Sequence, residues 1–155
     1  MKQASLKKKK SIQSKFAVIS SRFNPQVTKK LKQGCLKALL EAKVKKSMIV
    51  EVEVPGSFEL PWAAQQFARK KDIDVVICLG AVIQGETDHH QYIGAEVARG
   101  ISSLSLTMNK PIMFGVLTCK NISQALARSL GKNNKGYEVG WAAVEMANLA
   151  KQWKS

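Results

Sequence analysis

The sequence lacks the features that define several common classes of protein. No apolar run approaches the roughly 20 residues that a membrane-spanning helix requires. The three cysteines are widely spaced and form no C-x-x-C pair, and we find no secretory leader. The motifs G-x-x-x-x-G-K-S/T, G-x-G-x-x-G and G-x-S-x-G are also absent. These absences predict a cytoplasmic protein with reduced thiols and no membrane role, without a standard nucleotide site or hydrolase nucleophile.

Acidic residues are few: 11 Asp and Glu stand against 25 Lys and Arg, and the formal net charge is +14. Six of the lysines lie within residues 1–15, which contain no acid. The block at residues 7–10 could bind nucleic acid, but such blocks are as often solvated tails, and no aromatic residue lies among these lysines to stack on bases. We therefore expect residues 1–15 to form a poorly ordered basic head and residues 16–155 to form one domain, with no nucleic-acid partner.

Short apolar runs alternate with helical patterns along the rest of the chain. Residues 75–79 are all apolar and rich in β-branched side chains, which predicts a strand buried on both faces. The predicted strands are residues 16–20, 48–54, 75–79 and 112–117, and the predicted helices are 25–42, 61–71, 89–107, 123–128 and 137 to the C-terminus. A β-α unit repeated four times implies a single-domain, three-layer α/β/α fold with a four-stranded parallel sheet.

Ligands of such sheets bind beyond the carboxyl ends of the strands, where four predicted loops meet. The loops are residues 21–25, 55–61, 80–90 and 118–123. They carry an aromatic ring (Phe23), an amide (Asn24), a carboxylate (Glu59) and two adjacent imidazoles (His89 and His90). This set suits a planar ring with polar edges.

The segment after the third predicted strand is typical of an anion site. Thr87 or Asp88 can cap the following helix, so the N–H groups of residues 85–88 would point at a bound anion such as a phosphate. Arg128 adds a guanidinium that can bind phosphate. Together these groups predict a site for a planar ring and a phosphate.

Each of these residues has an ordinary structural interpretation when it is taken alone. Phe23 can pack within its loop, Glu59 can be an acid favoured by a helix dipole, and Arg128 can be a solvated cation. His89 and His90 could suggest a metal site, but adjacent helical residues point about 100° apart and no second ligand cluster exists elsewhere in the sequence. We therefore predict no metal.

Four motifs in matching order and spacing resemble the lumazine synthase family, which makes 6,7-dimethyl-8-ribityllumazine in riboflavin biosynthesis. They are SRFN at 21–24, VPGSFELP at 54–61, GAVIQGETDH at 80–89 and FGVLT at 114–118, the last followed by Gln124, Ala125 and Arg128. Residues 134–136 and 145–149 match as well, so the resemblance covers the chain from about residue 16. Two positions depart from the family pattern: Gln84 replaces a usual arginine, and His90 replaces a common aromatic residue.

The resemblance implies a flavodoxin-like catalytic domain and a transferase activity. Its substrates would be 5-amino-6-(D-ribitylamino)uracil and 3,4-dihydroxy-2-butanone 4-phosphate, condensed without a cofactor. Phe23 would stack on the pyrimidine, Asn24 would fix its polar edge and Glu59 would accept hydrogen bonds from the ribityl chain. The implied site consists of His89 as the catalytic residue and Phe23, Asn24, Ser57, Phe58, Glu59, Ala81, Val82, Ile83, Gly85, Glu86, Thr87, Phe114, Arg128 and Lys135 as substrate-binding residues.

The resemblance also implies a homopentamer in which a neighbour contributes the Phe114 and Arg128 side of each site. In the family that the chain resembles, a compact connection such as residues 131–136 accompanies a sixty-subunit shell, whereas a charge of +14 on each chain opposes such a shell. Riboflavin synthase is a candidate partner. Two alternatives are a non-catalytic carrier of a flavin or lumazine with the same fold, and an RNA-associated protein built on the lysine-rich head.

Overall fold

In the computed structural model, residues 13–154 are described, and they form a parallel sheet with helices on both faces. The strands are β1 (Phe16–Ser21), β2 (Ile49–Val54), β3 (Val75–Ile83) and β4 (Ile112–Cys119), and the helices are α1 (Pro25–Glu41), α2 (Leu60–Ala68), α3 (His89–Met108), α4 (Ile122–Ala127) and α5 (Lys135–Lys154). Short 3₁₀ segments occupy Lys46–Met48, Ser57–Glu59 and Gly131–Asn133. The predicted three-layer α/β/α fold is confirmed, while the predicted basic head lies outside the described residues apart from residues 13–15.

The strand order is β2-β1-β3-β4, so β1 and β3 form the centre of the sheet. All of residues 75–79 are fully buried, as the apolar run predicted. Glu51 and Glu53 lie exposed on β2, which is an edge strand. Helices α1 and α5 cover one face of the sheet and α2 and α3 cover the other.

Strand β3 extends to Ile83, and the predicted end at Leu79 is therefore wrong. The four additional residues pair with β4, from Gly80 opposite Val116 to Ile83 opposite Cys119. Gly80 lies within the strand rather than at its end, and its lack of a side chain leaves space that a neighbouring segment occupies. A Cβ atom at Gly80 would come within 2.5 Å of the Ser57 hydroxyl oxygen. The 3₁₀ segment Ser57–Glu59 can therefore lie directly against β3.

Two predicted helix boundaries are also wrong. Asn121, rather than Ser123, caps α4, because its Oδ1 accepts a hydrogen bond of 2.9 Å from the Gln124 amide. Helix α2 ends at Ala68 instead of residue 71. The Lys110 Nζ donates to the carbonyls of Ala68 (2.8 Å) and Lys70 (2.9 Å), so a distant cation satisfies the end of the helix.

Helices α1 and α5 approach each other closely through glycines. A Cβ atom at Gly136 would collide with the backbone carbonyl of Leu31, and one at Gly34 would collide with the Asn134 amide. The Asn134 Nδ2 donates to the Lys30 carbonyl (3.0 Å) and to the Ser129 carbonyl (2.9 Å). These contacts tie the start of α5 to α1.

The described residues include all three cysteines, and each is free and buried. Burial raises the pKa of the Cys35 and Cys78 thiols to about 12. Within residues 13–154, no helix is both long and apolar enough to cross a bilayer.

Candidate active site

A cleft of about 580 Å³ opens at the carboxyl ends of β1, β2 and β3. Its lining residues are Phe23, Asn24, Gly56, Ser57, Phe58, Glu59, Ala81, Val82, Ile83, Gly85, Thr87, His89, His90, Tyr92 and Ile93. Three of the four predicted loops therefore meet here. The fourth, residues 118–123, does not line this cleft.

Phe23 forms one wall of the cleft. The turn that carries it is held against the end of β2, because the Arg22 amide donates to Val54 (2.8 Å) and the Phe23 amide donates to Pro55 (3.0 Å). Phe23 as a whole residue is 70% exposed. A ring on a fixed backbone with an open face can stack on a planar ligand, and its exposure disfavours the interpretation of simple loop packing.

The 3₁₀ segment Ser57–Glu59 forms a second part of the cleft lining. The Glu59 Oε2 accepts a hydrogen bond of 2.9 Å from the Gly56 amide, so this carboxylate helps to hold its own turn. An ionised carboxylate accepts about four hydrogen bonds, which leaves Glu59 free to accept more from a ligand. Ser57 is buried, and its hydroxyl has no hydrogen-bond partner within the described chain.

The backbone of β3 presents alternate residues to its two neighbouring strands. The Gln84 amide donates to Cys119 on the β4 side (2.9 Å), whereas the Val75 amide donates to Lys15 beside β1 (3.3 Å). Even-numbered residues therefore direct their amide and carbonyl groups toward β4, and odd-numbered residues direct theirs toward β1.

The end of β3 consequently has an unpaired edge facing the cleft. The pairing of β1 with β3 reaches Leu79, and β1 itself ends at Ser21. Ala81 and Ile83 are odd-numbered, so their amide and carbonyl groups face the side that β1 has left open. The Asn24 Nδ2 donates to the Ala81 carbonyl at 3.1 Å. The Ala81 amide and the amide and carbonyl of Ile83 then face the open side. There they can form hydrogen bonds with the polar edge of a heterocycle.

The N-terminus of α3 also lines the cleft. Asp88 occupies the N-cap position without a side-chain capping bond, while the Thr87 hydroxyl accepts a hydrogen bond from the His89 amide at 3.4 Å. Gly85 is exposed, and no atom lies within 4 Å of the position of a Cβ there. The positive end of a 20-residue helix thus faces an open turn, which favours an anion.

The two imidazoles at the start of α3 differ in their surroundings. His89 is exposed at the mouth of the cleft. His90 is partly buried, and its Nδ1 is buried without a hydrogen-bond partner among the described residues. His90 also lines a second cleft of about 450 Å³, which lies between α3 and β4 and contains Phe114.

Four predicted site residues do not line the first cleft. Glu86 is exposed between Gly85 and Thr87, which do line it, and the other three lie elsewhere in the fold. Phe114 lines the second cleft. Arg128 is exposed at the end of α4 and donates to the Gln124 carbonyl at 3.2 Å. Lys135 begins α5 and forms an ion pair of 3.2 Å with Glu138. Within one chain, Phe114, Arg128 and Lys135 therefore do not line the cleft that contains Phe23 and His89.

Tyr92 and Ile93 line the cleft, and the sequence did not predict them as site residues. The available signal was their position on the first turn of α3, where Tyr92 follows His89 by three residues. Tyr92 is 73% exposed, so it belongs to the rim of the cleft. Among residues 13–154, no group of three or more His, Cys, Asp or Glu side chains is placed to hold a metal ion.

Comparison of the sequence with known proteins assigns the chain to a family. The family model described as 6,7-dimethyl-8-ribityllumazine synthase matches residues 13–151 of the chain. The chain belongs to the lumazine synthase family. The lumazine synthase of Aquifex aeolicus (strain VF5) is 44% identical over 138 residues, which cover 88% of this chain and 90% of that protein. The match confirms the family that the four motifs predicted, and it spans every residue of the candidate site.

Proposed function

We propose that this chain condenses 5-amino-6-(D-ribitylamino)uracil with 3,4-dihydroxy-2-butanone 4-phosphate to give 6,7-dimethyl-8-ribityllumazine and phosphate. The observation that carries the proposal is a single cleft holding an exposed ring at Phe23, an unpaired strand edge at residues 81–83 and a helix N-terminus beside His89. These groups match a planar heterocycle, its polar edge and a phosphorylated reactant that exchanges protons.

The uracil would occupy the inner part of the cleft. Phe23 stacks on one face of the pyrimidine, and the amides and carbonyls of residues 81–83, with Ser57, read its edge. Glu59 accepts hydrogen bonds from ribityl hydroxyls with the capacity that its turn leaves free. Phe58, which is exposed beside Glu59, covers the mouth.

The phosphate would bind at the start of α3. The backbone of Gly85 and Glu86 and the hydroxyl of Thr87 lie in the exposed turn before the helix, where the helix dipole favours an anion. Arg128 adds a charge-assisted contact, and Lys135 a further cation, from a neighbouring subunit.

His89 would move protons between bound reactants. The 5-amino group attacks the ketone carbonyl and loses water to form an imine. Removal of the proton at the neighbouring carbon then expels phosphate and leaves an enol, which tautomerises to a second ketone. The ribitylamino nitrogen attacks this ketone, and loss of a second water closes the ring. An imidazole can accept and donate protons near neutral pH, as each of these steps requires. Holding two reactants side by side supplies much of the remaining acceleration.

Assembly into a ring of five chains would complete the site. Phe114, Arg128 and Lys135 do not reach the first cleft of their own chain, so a neighbour must supply them if they contact substrate. Tyr92 lines the cleft and Trp62 lies on α2, and both are exposed and offer apolar surface for that neighbour. In the lumazine synthase family a compact connection such as residues 131–136 accompanies assembly of rings into a shell, and it favours a shell here against the repulsion of the basic chains.

The deciding experiment mixes both substrates with the pure protein and follows lumazine absorbance and fluorescence. We expect turnover that a strong chelator leaves unchanged, and activity restored only by a divalent ion would contradict the metal-free mechanism. Tight lumazine binding without turnover would favour a carrier. Light scattering with and without phosphate would distinguish one ring from a shell. A riboflavin synthase partner and a cytoplasmic location stay predictions.

A further inference from the structure

Asn24 joins three parts of the cleft. It follows Phe23, it precedes the first residue of α1, and its side chain reaches β3. Its backbone is left-handed, with φ 60° and ψ 56°. Few residues other than glycine adopt this conformation, and asparagine is among the most tolerant of it. The left-handed backbone of Asn24 therefore joins the turn that carries Phe23, a lining residue of the cleft, to the first residue of α1.

The Asn24 amide occupies a place that a strand would otherwise fill. It donates to the Ala81 carbonyl at 3.1 Å, on the edge of β3 that β1 leaves unpaired. Its own carbonyl accepts bonds from the amides of Val27 (3.0 Å) and Thr28 (3.1 Å). The side chain thus links the Phe23 turn to the strand edge, while the backbone starts α1.

We propose that Asn24 is a positioning residue that acts on the Ala81 carbonyl rather than on the substrate. This inference rests on the proposed function, in which the uracil is held by the Phe23 ring above and by the edge of residues 81–83 beside it. The two contacts satisfy one rigid ligand only if the ring and the edge keep a fixed spacing. The bond from Asn24 to Ala81 sets that spacing. The role differs from the direct uracil contact that the family resemblance implies.

Two substitutions separate the side chain from the backbone conformation. Asn24→Gly keeps the left-handed backbone accessible and removes the amide. Asn24→Asp keeps the size of the side chain and replaces the donor with an acceptor that faces the Ala81 carbonyl. Asn109→Gly is the matched control, because Asn109 has a similar left-handed backbone (φ 48°, ψ 49°) at the end of α3, away from the cleft.

Losing this hydrogen bond should raise KM for the uracil about 3- to 10-fold in Asn24→Gly, with a smaller change in kcat. Asn24→Asp should have the larger effect, since two acceptors would face each other. Asn109→Gly should leave both constants unchanged. An unchanged KM in both Asn24 variants would overturn the proposal.

Hydrogen exchange in the substrate-free protein separates positioning from direct contact. The Arg22 and Phe23 amides bond to Val54 and Pro55, and they should exchange faster in Asn24→Gly than in wild type if Asn24 anchors their turn. A raised KM with unchanged exchange would instead assign Asn24 to direct substrate contact and would overturn our inference. Hydrogen exchange does not depend on turnover. If the wild-type protein made no lumazine, the proposed function would be refuted, and the exchange rates would still show whether Asn24 anchors the Phe23 turn.

Discussion

Helices α1 and α5 cover one face of the sheet and α2 and α3 cover the other, and the chain completes the first face more fully than the second. On the first face, Gly136 lets α5 contact the backbone of α1, and Asn134 bonds to both sides of the junction. On the second face, Trp62 on α2 and Tyr92 on α3 are 69% and 73% exposed. We call these the closed face and the open face.

The difference teaches where stability and activity are concentrated. The closed face buries apolar side chains from α1, α5 and β1 within one chain. The cleft, both histidines and the exposed aromatic side chains around it belong to the open face or its rim. Substitutions on the closed face should therefore change the free energy of unfolding, and those at the cleft should change catalysis or assembly.

The largest expected effect is at His89, on the rim of the open face. His89→Ala should lower kcat about 10²- to 10⁴-fold, because general acid–base catalysis is lost. The free energy of unfolding should change by no more than about 0.5 kcal/mol, since the side chain is exposed. Steady-state kinetics and urea denaturation measure the two effects. If His90→Ala reduced kcat more than His89→Ala, the catalytic assignment would be reversed.

The next largest effect tests the closed face. Gly136→Ala should lower the free energy of unfolding by about 3 kcal/mol, because the new methyl group meets a backbone carbonyl that cannot rotate away. The folded fraction should keep its kcat. Gly85→Ala is the stability control on the open side, where a Cβ meets open space, and it should shift stability by no more than about 0.5 kcal/mol. Equal destabilisation by both would remove the distinction between the faces.

Arg128 tests whether the comparison holds across subunits. Arg128→Ala should reduce kcat/KM for the butanone phosphate roughly 10- to 150-fold, since a charge-assisted contact contributes about 1.5 to 3 kcal/mol. Uracil binding should be unaffected. Lys132→Ala removes another exposed cation near α4 and should leave kcat/KM unchanged. An unaltered kcat/KM in Arg128→Ala would confine the site to the cleft of one chain.

Two exposed tryptophans test the role of the open face in assembly. Trp62→Ser should weaken each contact between chains by about 2 kcal/mol and shift the mass toward smaller species in sedimentation. Trp153, which is 74% exposed near the end of α5, is the matched control, and Trp153→Ser should leave the mass unchanged. The reverse result would place the interface at α5.

The smallest expected effect compares two buried thiols. Burial raises the pKa of Cys35, on the closed face, and of Cys78, on the open face, to about 12. Both thiols are fully buried, so a reagent reaches them only after local opening, which also removes the burial that raises their pKa. A difference in labelling rate between the two cysteines therefore reports a difference in local opening. Peptide mass spectrometry should show Cys78 labelled several-fold faster, whereas equal rates would mean that both faces open together.

The alternation of apolar runs and helical patterns was sufficient to predict the fold, because strands buried on both faces have a recognisable sequence pattern. The four motifs were sufficient to predict the family. The end of β3 was predicted four residues early because Gly80 was interpreted as a turn. A glycine is needed at position 80 because Ser57 approaches β3 there. This is a contact between distant segments, and no local sequence pattern contains it.

The sequence by itself determined the elements, their order and the set of reactive side chains, since these depend on local periodicity and residue type. Only the tertiary structure decided how that set is divided. It placed Phe23 and His89 in one cleft and Phe114 in another, and it placed Arg128 outside both. It also directed the Asn24 amide to the Ala81 carbonyl. Such distances depend on strand order and on where each strand ends relative to its neighbour. Packing between distant segments sets the strand order and the relative strand ends, so they cannot be predicted from the periodicity within one segment.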